Sequence, residues 1–368
     1  MKYNRGLDAL RGFAVLLVVY LHWGPLGFKI LWLKYIFTHL IPSGTFGVDL
    51  FFVLSGYLIT RILLDARIDQ PDNRIGTIKT FYFRRVLRIF PIYFLYVLFV
   101  GYVLQDHYVK NHIAYFVTYT SNVLYINGGV PWQTLPHTWS LAVEEQFYII
   151  WPWIIIYTPQ RYLQRVILFF ISLGIISSLV LYTFYGYYFT FLLPACFVAF
   201  GMGAWYAYAK VYQPTIKWLP IALKIAVPVC VIILFVNQVF YRVVLIRLSD
   251  SIIGIGAIYY IEKQQYKKGL KSLFENKLLV RLGKISYGVY LYHFVLPFYY
   301  SELLDYLLGK QLLSGSAYHA LSYIPLKYAI NLVLVISLSA ISFRFIEKPF
   351  LNLKKYFNYN VRTESLPG

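Results

Sequence analysis

The chain has 368 residues, of which 59% are hydrophobic and 13% charged, with a mean hydropathy of +0.59. Those values exclude an ordinary soluble domain and describe an integral membrane protein. The net charge of +19 falls in short loops between apolar runs, where it orients helices in a bilayer, so nucleic acid is not expected as a partner.

Lys2 and Arg5 precede the first apolar run, at about 7–25. The run looks like a secretion signal, but Asp8 and Arg11 interrupt it and no small-residue cleavage site follows, so an uncleaved first span is expected. Further spans are expected at about 45–64, 86–104, 138–157, 166–186, 188–209, 219–237, 243–261, 285–301 and 324–344. The connections carrying Arg61 to Arg88, Arg161 and Arg165, Lys210 and Lys217, Lys263 to Lys284, and Lys348 to Lys355 read as inside loops. The expectation is an all-α, polytopic membrane bundle of ten transmembrane helices with both termini cytoplasmic. Residues 1–350 form a single membrane domain, and 351–368 a short cytoplasmic tail.

Residues 113–127, "IAYFVTYTSNVLYIN", are apolar enough to enter a membrane. A crossing there would put Arg161 and Arg165 outside, so a re-entrant or interfacial segment is expected. Cys196 and Cys230 lie inside apolar stretches and support neither a disulfide framework nor a metal site.

Five carboxylates fall within or beside the spans: Asp8, Asp49, Glu144, Glu145 and Asp250. An ionisable group at membrane depth costs on the order of 3 kcal/mol, so each calls for a partner or a task. Arg11 and His22 are eleven residues apart, which places them on one helix face about 16 Å apart along the axis. Asp8 is spaced to pair with Arg11. Two readings stay open: a snorkelling arginine with a histidine satisfied by a backbone carbonyl, or the two ends of a site.

In "FGVDLFFVLSGYLI", Asp49 either faces water on a packing helix or orients His22 as a general base. Arg84, Arg85 and Arg88 in "RRVLRIFP" either mark the cytoplasmic side or bind phosphate oxygens bidentately. "PHTWSLAVEEQFY" joins His137, Trp139, Ser140, Glu144 and Glu145; the two adjacent carboxylates cannot share a groove, so one is expected to face water. Ser286, Tyr290 and His293 in "SYGVYLYH" share a face, either as a polar seam or along an acceptor route.

In this order and spacing, these motifs resemble the acyltransferase-3 family of membrane O-acyltransferases, of the bacterial surface-polysaccharide acetyltransferase type. The resemblance covers nearly the whole chain. It implies a ten-span bundle that takes an acyl group, usually acetyl from acetyl-CoA, to an acceptor hydroxyl outside. It marks Arg11, His22, Asp49, Arg85, Arg88 and Trp139 to Glu144 as functional positions. The implied setting is the bacterial cytoplasmic (inner) membrane, with membrane lipids, acyl-CoA and a glycan or other hydroxyl-bearing acceptor as partners and no metal. Many such relatives add a hydrolase-like domain; the chain stops shortly after "RFIEKPF" and resembles the standalone form.

The expected mechanism puts the CoA phosphates on Arg84, Arg85 and Arg88, with help from Arg11. The ~16 Å rise from Arg11 to His22 is comparable to the pantetheine arm. His22 acts as general base, oriented by Asp49 or Glu144, and a variant has it carry the acyl group. Trp139, Ser140 or a tyrosine donates to the oxyanion, and Glu145, Tyr290 and His293 complete the substrate side. The rival reading is a proton-coupled transporter or flippase, which has little use for a cytoplasmic phosphate clamp.

Overall fold

A helix that is apolar all round must pack on other helices or face lipid, because only then is its surface matched, while its backbone is satisfied within the helix. The computed structural model describes residues 3–23, 44–126, 135–213, 216–234, 239–263, 268–307 and 324–359 and, among them, contains helices and no strand. In chain order these are α1 (Arg5–Trp23), α2 (Gly44–Asp69), α3 (Arg74–Leu98), three short helices α4 (His107–Asn111), α5 (Ile113–Val117) and α6 (Ser121–Ile126), α7 (Thr138–Tyr157), α8 (Gln160–Tyr185) and α9 (Leu193–Tyr212). There follow α10 (Leu219–Leu234), α11 (Val239–Lys263), α12 (Lys268–Phe274), α13 (Lys277–Lys284), α14 (Ser286–Leu307), α15 (Ile324–Ser342) and α16 (Lys348–Asn352). Five helices among the described residues are long and apolar enough to cross a membrane: Arg5–Trp23, Thr45–Asp69, Arg74–Val103, Gln160–Tyr185 and Pro325–Tyr356.

The core is made by α1, α2, α7 and α9, with α14 closing one side. Helices α2 and α9 cross with backbones in contact. A methyl group on Gly56 would lie 2.1 Å from the Phe200 carbonyl oxygen, and one on Gly203 the same distance from that of Val53. Small residues are what allow such a crossing. It leaves the adjacent Ser55 turned to the other side, toward α7.

An ion pair ties the same region to α11: Arg247 Nε donates to Asp49 Oδ1 at 2.9 Å, and its Nη1 to the Ala195 carbonyl at 3.2 Å. Asp49 therefore does not pair with His22, nor does it face water. A buried guanidinium from a distant helix takes it because neither charge has solvent to turn to.

The stretch before α7 is the three short helices α4 to α6, each too short to cross a bilayer. Of the segment expected to be re-entrant, residue 127 lies outside the described residues. Tyr119 and Leu135 take positive φ of 54° and 45°, a left-handed conformation that non-glycine residues hold only when surroundings enforce it. The Tyr119 ring stacks on Tyr93 at 4.4 Å, and Gln146 Nε2 donates to its carbonyl at 2.8 Å. The Leu135 carbonyl accepts from the Tyr125 hydroxyl at 2.6 Å and from Thr138 Oγ1 at 2.8 Å. These bonds fix the turn that delivers His137.

Beyond α15 the chain forms a π turn (Phe343–Glu347), α16 and a 3-10 turn (Leu353–Tyr356). This is not a free tail as far as residue 359: Arg84 donates to the Lys354 and Phe357 carbonyls at 3.2 and 2.7 Å, and Phe83 stacks on Phe357 at 4.8 Å. Residues 360–368 of the expected tail lie outside the described residues.

Candidate functional site

Two cavities meet α1, one near each end. The first, of about 90 Å³, is lined by Arg11, Arg85, Arg88, Ser55, Glu144, Ser140, Tyr148, Tyr290 and their apolar neighbours. Arg85 and Arg88 reach it together because residues three apart on α3 share a face. Arg84, one step round the helix, instead binds the carbonyls after α16. Its expected place in a phosphate site is thus taken by a structural bond, because the last carbonyls of a helical turn need donors.

Arg11 is held by Asp8 at 2.9 Å, as the spacing implied, and Asp8 also accepts from the Tyr3 hydroxyl at 2.7 Å. Burial first, then that bond, push the Tyr3 phenol up to about 12. The Arg85 guanidinium lies 4.9 Å over the Tyr148 ring and 5.5 Å over Phe81. Such stacking fixes a guanidinium plane while leaving its N–H edge for an anion. Glu144 Oε1 accepts from both Ser55 and Tyr148. Glu144 therefore belongs to this cavity and does not bond to His22.

The far end of the arginine cavity is closed by a hydroxyl pair, Ser140 Oγ and Tyr290 Oη at 2.5 Å, and Tyr290 also donates to the His137 carbonyl at 3.0 Å. Behind them His293 is fully buried. Its Nδ1 lies 2.6 Å from the Tyr290 carbonyl, and its Nε2 lies 3.1 Å from His22 Nδ1. A carbonyl only accepts, so Nδ1 of His293 carries its proton and, in the neutral ring, Nε2 offers a lone pair.

His22 Nδ1, also 3.0 Å from the Val18 carbonyl, is then the donor to both. The lone pair of His22 rests on Nε2. The carbonyl expected of a purely structural histidine is present, and it helps set the tautomer. The side chain bonded to His22 Nδ1 is a second histidine, not a carboxylate.

The second cavity, of about 310 Å³, is lined by His22, Trp23, Phe294, Pro297, Phe298, Lys327, Tyr328 and Asn331. Among the described residues the two cavities share no lining residue. Arg11 opens into one and His22 into the other, so the polar stripe of α1 joins them.

Trp139 lines neither; it packs 4.8 Å from Phe191 and edge-on to Phe52. Glu145, adjacent to Glu144 and so turned to another side of α7, is buried and does not face water. It lies within electrostatic reach of Arg85, Tyr93 and Tyr119.

Sequence reading left several residues without a part. His137 is buried, with its ring 5.1 Å from that of His293, and neither of its nitrogens has a hydrogen-bond partner among the described residues. Arg247 had a legible signal, standing three residues before Asp250 in an apolar run. Tyr148 stands one turn after Glu144 on α7 and was legible from that spacing, whereas Ser55 could be placed against Glu144 only by the crossing of α2 and α7.

A family model described as an acyltransferase domain matches residues 4–344. A Staphylococcus aureus (strain MSSA476) protein with a provisional O-acetyltransferase name is 30% identical over 390 residues, covering 95% of this chain and 58% of that protein. The peptidoglycan O-acetyltransferase OatA of Listeria monocytogenes is 30% identical over 394 residues, 97% of this chain and 57% of its own. The O-acetyltransferase OatA of Staphylococcus aureus strain NCTC 8325 is 28% identical over 379 residues, with 95% and 57% covered. The chain thus spans somewhat over half the length of these curated relatives. No solved structure matches it.

Proposed function

The chain belongs to the acyltransferase-3 family, and from that premise we propose that it carries acetyl from cytoplasmic acetyl-CoA to a hydroxyl of a glycan outside the bacterial cytoplasmic membrane. The observation that carries this reading is the pair of cavities on α1. One is lined by Arg11, Arg85 and Arg88, the other by His22, an imidazole whose Nδ1 bonds leave the lone pair on Nε2. A cell-wall sugar is the proposed acceptor class, in keeping with the peptidoglycan acetyltransferase among the relatives.

In this reading the donor phosphates bind Arg11, Arg85 and Arg88, since guanidiniums suit phosphate oxygens. The thioester arm runs past Ser140 and Tyr290 toward His22. Ser140 and Tyr290 close the arginine cavity, so the Tyr290 side chain rotates to let the carbonyl meet the acceptor. The acceptor oxygen attacks that carbon while its proton passes to His22 Nε2. The Nδ1–H remains shared with Val18 and His293, which holds the imidazolium in place.

Ser140 or Tyr290 donates to the tetrahedral oxyanion. Collapse breaks the carbon–sulfur bond, and the leaving thiolate takes the proton back from His22. Asp49 has no part in these steps; with Arg247 it holds α2 in position.

The deciding experiment is transfer of labelled acetyl from acetyl-CoA by the full chain in vesicles, with mass spectrometry of envelope glycans from cells with and without it. An acetyl mass increment that depends on the protein is expected. Absence of both labelled product and mass increment would falsify the reading.

A further inference from the structure

The cavity facing His22 has a lining unlike that of a passive outlet. We infer that it is a saccharide subsite in which Trp23, Tyr328 and Asn331 hold one sugar ring of the acceptor against His22. The inference rests on the acetyl-transfer reading above, and it assigns residues that the motif pattern did not mark.

The walls decide the chemistry of the occupant. The Trp23 indole N–H is already given to the His293 carbonyl at 2.7 Å, so this side chain can offer the cavity only its ring. The Tyr328 ring stands edge-on to it at 5.4 Å. Together they make an aromatic corner that suits the C–H faces of a pyranose.

Asn331 is buried, and its Oδ1 takes the Tyr300 hydroxyl at 2.6 Å. Its amide N–H donors are what remain for a ligand hydroxyl. Lys327 is held by Asp305, so the cationic group at this wall comes with its counter-charge.

An acyl chain would leave the asparagine amide and the His22 nitrogen buried against hydrocarbon without partners, which is costly. A phosphate would find one ammonium already paired, in contrast to the other cavity, where Arg85 and Arg88 stand beside the paired Arg11. A neutral ring bearing hydroxyls satisfies both kinds of wall at once. The volume of about 310 Å³ lies at the lower end of small-molecule sites. It admits one sugar ring with its neighbours extending outward. Seated there, one hydroxyl of the ring meets His22 Nε2.

The test measures binding of tetra-N-acetylglucosamine and, separately, of acetyl-CoA to the full chain in nanodiscs. Wild type is compared with Asn331→Leu and Tyr328→Leu, each checked for an unchanged gel-filtration profile and melting temperature. Saccharide affinity is expected to fall about tenfold in each variant, the loss of one or two ligand contacts, with acetyl-CoA affinity unchanged. Wild-type protein that does not bind the saccharide, or variants that bind it as tightly as wild type, would overturn the subsite. Saccharide binding that responds to both substitutions in a protein that does not bind acetyl-CoA supports the subsite and tells against the transferase reading, so the two failures are distinct.

Discussion

The two cavities along α1 differ in how they handle charge. The arginine cavity gathers guanidiniums whose planes are fixed by a salt bridge to Asp8 or by the Tyr148 ring, and its Glu144 is bound by hydroxyls rather than by a cation. The histidine cavity pairs its ammonium with Asp305 and offers aromatic faces, an amide and one imidazole. Through Arg85 and Arg88 one wall keeps cationic character for an anion, and the other pairs its one cation and presents shape. A donor with a phosphate-rich head and an acceptor rich in neutral hydroxyls are told apart by that contrast.

The sharpest way to break the comparison is His22→Ala. Removing the base is expected to lower acetyl transfer about 10²- to 10⁴-fold with acetyl-CoA affinity unchanged, measured by initial rates and equilibrium binding. Wild-type turnover would place the chemistry elsewhere. Asp49→Asn tests the opposite kind of residue. It breaks a pair whose side chains are 10% and 5% exposed and takes away one counter-charge of the buried Arg247, so a loss of stability of up to about 3–5 kcal/mol is expected. Thermal unfolding in detergent checks this, while the surviving folded fraction keeps its turnover number.

Arg85→Ala and Arg88→Ala each remove a charge-assisted contact of about 1.5–3 kcal/mol, so acetyl-CoA should bind roughly ten- to a hundredfold more weakly. Saccharide binding is expected to stay put. Equal losses on both sides would dissolve the distinction between the cavities.

His293→Gln is a smaller change. It takes away the group that shares the His22 Nδ1 proton, and a net effect near 1 kcal/mol, about fivefold in the turnover number, is expected. The rate–pH profile should move with it, which a packing role alone would not produce. Smallest of all is salt: moving from low to physiological ionic strength should weaken acetyl-CoA binding several-fold and leave the saccharide unaffected.

Much of this was legible from local pattern. The apolar runs announced helices, and the three- and four-residue spacings put Arg85 with Arg88, Asp8 with Arg11, and Ser286, Tyr290 and His293 on common faces. The expected boundaries fell short where helices run on into their charged ends, as α2 does to Asp69 and α14 to Leu307. Nearness along the predicted topology is not contact: the expectation that Asp49 orients His22 rests on both lying at one end of neighbouring helices. A guanidinium on α11, contributed nearly two hundred residues later, claims it instead. Arg84 looked equivalent to Arg85 and Arg88, yet a 100° step round the helix turned it to the segment after α16.

By itself the sequence determined that this is an all-helical membrane protein of the acyltransferase-3 family, and it marked the polar residues that a bilayer would otherwise exclude. Those are properties of composition and of a 3.6-residue period, which each segment expresses alone. Tertiary structure alone decided the distant partners: Glu144 to Ser55, Asp49 to Arg247, and His22 to His293. A buried polar group takes whichever complementary atom the packing brings within about 3 Å. That choice belongs to the crossing of two helices and is written in neither one separately.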